Sequence, residues 1–168
     1  MSSRRVFTRF HRVYLSTGSN QGESISNLIK AIQLIEKEIG RVSRSSSMYK
    51  TAAWGKTDQP DFVNQCLLVH SIFSPLLILK KLNYIEKQIG RVRFEKWGPR
   101  VIDIDILFFD QVVFQTNTLQ IPHPEIQNRM FVLKPLNEIA PNYKHPILNK
   151  TIKKLESTTK DSLGVLRL

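Results

Sequence analysis

The chain has 168 residues, of which 25 are Lys or Arg and 14 are Asp or Glu, so its formal net charge is +11. Hydrophobic residues make up 41% and charged residues 23%, as in globular proteins, which excludes a disordered or fibrous chain. The single cysteine, Cys66, excludes an intramolecular disulfide framework and a cysteine-rich metal site. No apolar run approaches the roughly 20 residues of a membrane helix.

The N-terminus is basic and leads directly into the first predicted strand. Its arginines are not followed by the apolar segment of a secretory signal. We therefore expect residues 1–12 to be a basic N-terminal extension, residues 13–168 to form one domain, and the protein to be cytoplasmic. The pI near 10.0 favours an anionic partner: nucleic acid, an acidic membrane surface or a phosphorylated small molecule.

The first half of the chain predicts a strand, a helix and a second strand. Val13–Leu15 is the first strand, and apolar residues at helical spacing from Ile25 to Ile39 follow it. Gly40 ends that helix. Val42–Thr51 is extended and feeds the breaker-rich loop Ala52–Pro60, which is typical of an exposed connection.

The second half repeats this order of elements. Phe62–Phe73 predicts a long strand, the apolar stripe Leu76–Ile89 a helix that ends at Gly90, and Val101–Phe109 another strand. Further on, Thr151–Lys160 is typical of a solvated amphipathic helix.

An internal repeat supports this order, since Ile35–Val42 recurs as Ile85–Val92 with seven of eight residues identical. One interpretation is a common helix-ending sequence that occurs twice. The other, which we favour because strands flank both helices, is a βαβ unit that occurs twice. We therefore predict an α+β fold: a ferredoxin-like βαββαβ core with a mostly antiparallel sheet and helices on one face, plus a C-terminal extension.

The two copies differ in the segment that comes after each of them. After Gly40 the chain enters a strand directly, whereas after Gly90 it passes through a further segment before Val101. This segment is rich in basic residues, namely Arg91, Arg93, Lys96 and Arg100. A basic loop added to a repeated scaffold indicates a functional role.

The strand after this loop carries two aspartates. Asp103 and Asp105 alternate with isoleucines, and residues two apart in a strand point to the same face. Two neighbouring carboxylates repel each other, so positive charge is expected beside them. Either the pair lies on a solvated face with arginines as salt-bridge partners, or it holds Mg²⁺, which prefers oxygen ligands and is commonly shared with substrate phosphates.

This segment resembles the signature of the 6-hydroxymethyl-7,8-dihydropterin pyrophosphokinase family. The similarity runs from about Val13 to Glu138. The matching motifs, in family order, are Gly18-Ser19-Asn20, residues 58–64 (DQPDFVN), Arg91-Val92-Arg93, residues 96–107 (KWGPRVIDIDIL), Pro122-His123-Pro124 and residues 128–131 (NRMF).

The resemblance implies a ferredoxin-like enzyme of folate biosynthesis that transfers the β,γ-diphosphate of ATP to the pterin hydroxymethyl group and releases AMP. Asp103 and Asp105 would then ligate two Mg²⁺ ions, and Arg91 and Arg100 would be catalytic. The implied ATP-binding residues are Glu86, Arg93, Lys96, Trp97, His123 and Arg129. The implied pterin-binding residues are Thr51, Trp54, Phe62, Asn64 and Phe131, with a hydrogen bond from Asn64 and stacking by Phe131.

An RNA-binding module is the alternative, because such modules share the βαββαβ order and a basic charge. However, the chain lacks the aromatic strand motif of those modules, and the two aspartates would repel a nucleic-acid backbone. We therefore expect a monomer whose partners are ATP and the pterin, with neither a nucleic-acid nor a membrane partner.

Overall fold

This computed structural model describes residues 9–53, 58–92 and 98–168. Within these residues, six strands form one sheet. The strands of that sheet are β1 (His11–Ser19), β2 (Arg41–Ser45), β3 (Tyr49–Thr51), β4 (Phe62–Ser71), β5 (Asp103–Phe109) and β8 (Val165–Arg167). Their order is β5-β1-β4-β3-β8, and β2 pairs with β4 beside β3. All of these pairings are antiparallel, so the predicted α+β class and antiparallel sheet are confirmed.

Two long helices cover one face of the sheet. They are α1 (Ser24–Glu38) and α2 (Pro75–Ile89), within a residue or two of the predicted apolar stripes. Because side chains alternate along a strand, Val13 and Leu15 of β1 reach this face. There they pack with buried helix residues such as Ile35 and Leu82 in one apolar cluster.

The opposite face is covered by the C-terminal helices, α3 (Met130–Ile139) and α4 (Ile152–Thr158). Tyr14 and Phe108 reach this face and pack with Leu133, Leu136 and other apolar residues of a second cluster. The helices predicted for the βαββαβ core, α1 and α2, thus share one face, and α3 and α4 lie outside that core. The predicted C-terminal extension supplies the second helical layer.

The predicted strand Val42–Thr51 is wrong as one element, since the structure divides it into β2 and β3. Ser46 lies between them and takes over bonds to β4: its N–H donates to the Cys66 carbonyl at 2.9 Å, and its hydroxyl accepts from the Cys66 N–H at 3.0 Å. The pairing shifts by one residue across this point, from Ser45 opposite Leu67 to Tyr49 opposite Asn64. Such a shift bends a strand.

Smaller elements complete the chain. Strands β6 (Phe114–Gln115) and β7 (Gln120–Ile121) form a separate two-stranded sheet, and a 3₁₀ turn at Ile126–Asn128 precedes α3. Among the residues described, no helix has the length and apolar character needed to cross a membrane.

Candidate active site

The candidate site begins where three strands of the sheet meet. Gly18 of β1 pairs with Asp103 of β5 on one side and with Asn64 of β4 on the other. Residues opposite each other in a ladder share a face, so the carboxylate and the amide lie in one row across Gly18. A Cβ atom at position 18 would lie 2.8 Å from Oδ1 of Asn64. Glycine therefore leaves the space that the Asn64 amide occupies.

Asp103 is held between the two arginines that were predicted to be catalytic. Arg91 Nη1 donates to Oδ1 of Asp103 at 2.6 Å, and Arg100 Nη1 donates to Oδ2. Arg100 lies three residues before Asp103, whereas Arg91 follows the end of α2. The sequence prediction that positive charge accompanies the two aspartates is therefore confirmed for Asp103.

Glu86 of α2 also accepts a hydrogen bond from Arg91 and so helps to hold its guanidinium in place. Its Oε1 accepts from Arg91 Nη1 at 2.5 Å and from the Ile104 N–H at 2.8 Å, and the residue is 3% exposed. Burial raises the pKa of Glu86, and the Arg91 charge and the Ile104 N–H oppose that rise. Burial lowers the pKa of Arg91, but Asp103 and Glu86 more than offset this and raise it. Arg91 is thus a permanent cation held by two acids.

Asp105 follows Asp103 by two residues on the same strand face and lies near His123. Its side chain is 43% exposed, and His123 Nε2 lies 4.0 Å from its Oδ2. Desolvation raises the pKa of Asp105 to about 7, and the Asp103 charge adds to the rise. Loss of its proton is therefore less favourable for Asp105 than for an ordinary aspartate.

His123 presents a neutral N–H donor to this carboxylate. The Glu125 N–H donates to Nδ1 of His123 at 3.1 Å, which leaves the ring proton on Nε2, the atom that faces Asp105. Desolvation and then the Arg129 charge lower the pKa of His123 to about 4. The ring is therefore uncharged at neutral pH.

Arg129 and Phe131 stand at the start of α3, on the same side of the sheet as the two aspartates. The positive charge of Arg129 lowers the pKa of both Asp105 and His123. The Arg129 guanidinium lies 5.8 Å from the Phe131 ring centroid. The start of α3 thus carries a cation close to an aromatic ring.

Three of the residues predicted for the pterin lie at the β4 side of the row. Asn64, 3% exposed, donates from Nδ2 to Oγ1 of Thr51 at 2.8 Å. Phe62 pairs with Thr51 across the ladder, and its ring lies 3.8 Å from the Cβ position of Gly18. The structure thus brings Thr51, Phe62 and Asn64 together beside Asp103. Trp54, Arg93, Lys96 and Trp97 lie outside the described residues.

Asn20 is a site residue whose role sequence reasoning missed. Its Oδ1 accepts from the Arg100 N–H at 2.7 Å, and its Nδ2 donates to Gln59 Oε1 at 3.1 Å and to the Pro60 carbonyl at 3.0 Å. One buried amide therefore joins the loop before β4 to the segment that carries Arg100. Its place in the Gly18-Ser19-Asn20 motif was the available signal.

The carboxylates suit a hard cation that arrives with further oxygen ligands. Among the described residues, no group of three or more His, Cys, Asp and Glu side chains could hold a metal ion by itself. Asp103 and Asp105 offer two carboxylates on one strand face, and the negative charge of Asp103 contributes to the raised pKa of Asp105, a repulsion that a bound cation would relieve. Since Mg²⁺ is commonly bound by one or two carboxylates together with substrate phosphates, the donor set fits that ion.

Comparison with known proteins identifies similar chains. A sequence model of the family described as "7,8-dihydro-6-hydroxymethylpterin-pyrophosphokinase (HPPK)" matches residues 14–141. A 2-amino-4-hydroxy-6-hydroxymethyldihydropteridine pyrophosphokinase of Aquifex aeolicus is 41% identical over 158 residues, which cover 93% of this chain and 98% of that protein. A protein of the same name from Synechocystis is 41% identical over 143 residues, covering 84% of this chain and 73% of the relative.

Solved structures share the fold at lower sequence identity. The HPPK-DHPS of Plasmodium falciparum, in a crystal structure with pteroate, superposes with a TM-score of 0.74 at 20% identity. The match covers 89% of this chain and 42% of that longer chain. At this identity, the comparison shows that the two proteins share a fold over most of the present chain.

Proposed function

Because this chain belongs to the 7,8-dihydro-6-hydroxymethylpterin-pyrophosphokinase family, we infer that it transfers the pyrophosphoryl group of ATP to the hydroxymethyl group of 6-hydroxymethyl-7,8-dihydropterin. AMP is the other product, and the reaction belongs to folate biosynthesis. None of the comparisons supports the alternative of an RNA-binding module.

The observation that carries this function is the row of groups that joins two sites of different chemistry. Asp103, with its two arginines, lies directly across Gly18 from the Asn64 amide. The first group suits a triphosphate, and the second suits a planar, hydrogen-bonding heterocycle. Phosphoryl-type transfer requires mainly that two such reactants be held in line while charge is neutralised.

We assign the phosphate-binding role to Arg91 and Arg100. Both donate to Asp103, so their guanidinium groups are held at the site. When the triphosphate enters, they can turn from Asp103 to phosphate oxygens, which suit the planar donor array of arginine. Glu86 keeps Arg91 in place during this exchange, and a direct contact of Glu86 with the nucleotide stays a prediction.

Asp103 and Asp105 would hold Mg²⁺ once the arginines have turned to the phosphates. The ion would supply charge neutralisation to the triphosphate. The number of two ions, which the resemblance implies, stays a prediction. We assign contacts with phosphate oxygens to His123, as a neutral donor, and to Arg129, as a cation; the distance of 4.0 Å between His123 Nε2 and Asp105 Oδ2 supports the assignment of His123. Contacts of Arg93, Lys96 and Trp97 with ATP stay predictions as well.

The pterin would lie against the β4 side of the site. Asn64 supplies an amide in a fixed orientation because Thr51 accepts one of its hydrogens. Phe62 and Phe131 supply aromatic surfaces on which a planar ring can stack. In this proposed placement, the hydroxymethyl group of the pterin points along the row toward Asp103. Trp54 stays a predicted contact.

We further propose that the central βαββαβ unit is ferredoxin-like, which the strand order β5-β1-β4 with β2 and β3 beyond it supports. That the active form is a monomer stays a prediction. A single domain over residues 13–168 and a cytoplasmic location stay predictions.

An AMP-release assay tests the function directly. The chain incubated with MgATP and hydroxymethyldihydropterin should form AMP and pterin diphosphate in equal amounts, and omission of the pterin should abolish AMP formation. Formation of ADP, or AMP release that does not depend on the pterin, would contradict the proposed reaction.

A further inference from the structure

Helix α3 starts between two proposed substrate contacts but has no cap of its own. Arg129 occupies the N-cap position, and its side chain makes no capping hydrogen bond. The first turn of the helix also contains no acidic residue. The first N–H groups of a helix have no partner within the helix, so they need acceptors from elsewhere.

Asp161 supplies that acceptor from 31 residues further along the chain. Its Oδ2 accepts from the Met130 N–H at 2.7 Å, directly between Arg129 and Phe131. Its Oδ1 accepts from the Leu163 N–H at 3.0 Å, and its own N–H donates to Oγ1 of Thr159 at 3.3 Å. The carboxylate is therefore fixed within a local turn, and its negative charge faces the positive end of α3.

The residues after Asp161 connect the same segment to the pterin side of the site. Strand β8 pairs with β3, with Val165 opposite Thr51. Farther along, the Leu168 N–H donates to the Met48 carbonyl at 2.9 Å. The segment 159–168 is thus bound at one end to the start of α3 and at the other end to β3. It lies beyond residues 14–141, which the family model matches.

We propose that Asp161 is a positioning residue of the reaction: it fixes the first turn of α3 so that Arg129 and Phe131 keep their places on either side of Met130. The inference rests on the proposed function, because it assigns Asp161 a role in substrate binding through these two residues. The path has two steps, from the carboxylate to the Met130 N–H and from there along the backbone to both neighbours. A small displacement of groups that hold reactants has a large kinetic effect.

The test compares substitutions at Asp161 with one at a second capped helix. Thr151 caps α4 through Oγ1, which accepts from the Lys154 N–H at 3.2 Å. Thr151→Ala therefore removes a cap of similar kind on the same side of the sheet, but from a helix that carries no proposed substrate residue. For each variant the thermal midpoint, kcat and KM for both substrates are measured, well below the thermal midpoint of the least stable protein.

We expect Asp161→Ala to raise KM for MgATP and for the pterin by about five- to tenfold, as expected for a lost cap that displaces binding groups. Thr151→Ala should lower the thermal midpoint about as much as Asp161→Ala does, but it should leave both KM values within about twofold of wild type. Asp161→Asn keeps one carbonyl oxygen, enough for either the Met130 or the Leu163 N–H but not both. Its KM values should be intermediate.

Amide exchange gives a readout that does not depend on turnover. In Asp161→Ala the first turn of α3 should exchange faster, and α4 should be unchanged, whereas Thr151→Ala should show the reverse. If Asp161→Ala does not fold, Asp161→Ser replaces it, because the serine hydroxyl is too short to keep both bonds.

Two results would overturn the inference while the proposed function stands: an active wild type with wild-type KM values in Asp161→Ala, or equal KM changes in Asp161→Ala and Thr151→Ala. The second result would mean that Asp161 only stabilises the fold. An inactive wild type would overturn the proposed function, and the inference with it.

Discussion

The two copies of the repeated octapeptide end two helices in nearly the same way but have different surroundings. Arg41, in the first copy, is exposed and starts β2, and Glu36 is also exposed. Their counterparts, Arg91 and Glu86, bond to each other, and Arg91 also bonds to Asp103. The shared sequence ends a helix in both copies, at Glu38 in α1 and one repeat position later, at Ile89, in α2. Only the second copy, whose arginine meets Asp103 of β5, is part of the site.

The strongest test of this difference is removal of the Asp103 carboxylate, which accepts a hydrogen bond from Arg91 of the second copy. Asp103→Asn should lower turnover by roughly 10³-fold, because a neutral amide is a poor ligand for Mg²⁺ and a poor partner for two arginines. Asp105→Asn should lower turnover by a similar factor. Steady-state rates of AMP release measure both effects.

Asp110→Asn is the matched control, since Asp110 directly follows β5 but pairs with His11 at 2.7 Å, away from the site. Its turnover should stay within about twofold of wild type. Near-normal rates in both Asp103→Asn and Asp105→Asn would remove the assignment of these carboxylates.

Substitution of the two glycines of the repeat by alanine should lower the unfolding free energy by different amounts. A Cβ atom at Gly40 would lie 2.1 Å from the carbonyl oxygen of His70 in β4, so Gly40→Ala requires the backbone to move and should cost about 3–4 kcal/mol of unfolding free energy. Gly90 has φ of +107° with nothing within 4 Å of its Cβ position, so Gly90→Ala should cost about 1–2 kcal/mol of backbone strain. Urea unfolding measures the difference. Equal costs would contradict the close approach of β4.

Substitution of the corresponding arginines of the two copies should have different effects on enzyme activity. Arg91→Ala should lower kcat/KM by roughly 10²-fold, since it removes a cation that is held at the phosphate site. Arg100→Ala should act similarly, on the chemical step and on ATP binding. Arg41→Ala, the matched control, should stay within about twofold of wild type because Arg41 is exposed and far along the sheet from Asp103. Equal losses at Arg41 and Arg91 would mean that the repeat serves only the fold.

Much of the core was predictable because its signals are local. The apolar periodicity predicted α1 and α2, and strand alternation placed Asp103 and Asp105 on one face with their isoleucines in the core. Helix α3 was not predicted, because Pro135 lies inside it and no capping residue precedes it. Its cap comes from Asp161, a contact between residues distant in sequence. No local pattern shows such a contact.

The break between β2 and β3 was missed for a related reason. It depends on Ser46, which replaces a ladder contact with bonds to Cys66 of β4, and serine in an extended segment does not by itself predict a bulge. In the site, the residues that contact each other along β5 could be grouped from the sequence. The role of Asn20 could not, because its partners come from two other segments of the chain.

The pH dependence of nucleotide binding is a further difference between the copies, because only the second leads to a titrating carboxyl. Desolvation and the Asp103 charge raise the pKa of Asp105 to about 7 in the free protein. Below that pH the carboxyl is protonated, and a cation must displace the proton. Affinity for MgATP should therefore fall by up to about tenfold per pH unit below 7.

Protonation of the nucleotide itself also weakens binding at low pH, so the control is Asp105→Asn. Calorimetric titrations of both proteins from pH 5 to 8 isolate the contribution of Asp105 as the difference between the two affinity curves. A constant difference over that range would show that Asp105 does not take up a proton when the ligand leaves.

The smallest expected effect concerns the glutamates of the repeat. Glu86→Gln keeps an Oε1 atom that can still accept from both Arg91 and the Ile104 N–H, but it removes the negative charge that holds the guanidinium. Charge-assisted hydrogen bonds are roughly twice as strong as neutral ones, so Arg91 should be held less firmly and kcat/KM should fall by about three- to tenfold. Glu36→Gln changes an exposed side chain and should leave kcat/KM unchanged. A loss in Glu86→Gln as large as that in Arg91→Ala would contradict this indirect role and would favour a direct contact of Glu86 with the nucleotide. Isotope-edited NMR of the arginine side chains reports the environment of Arg91 and would distinguish the two roles.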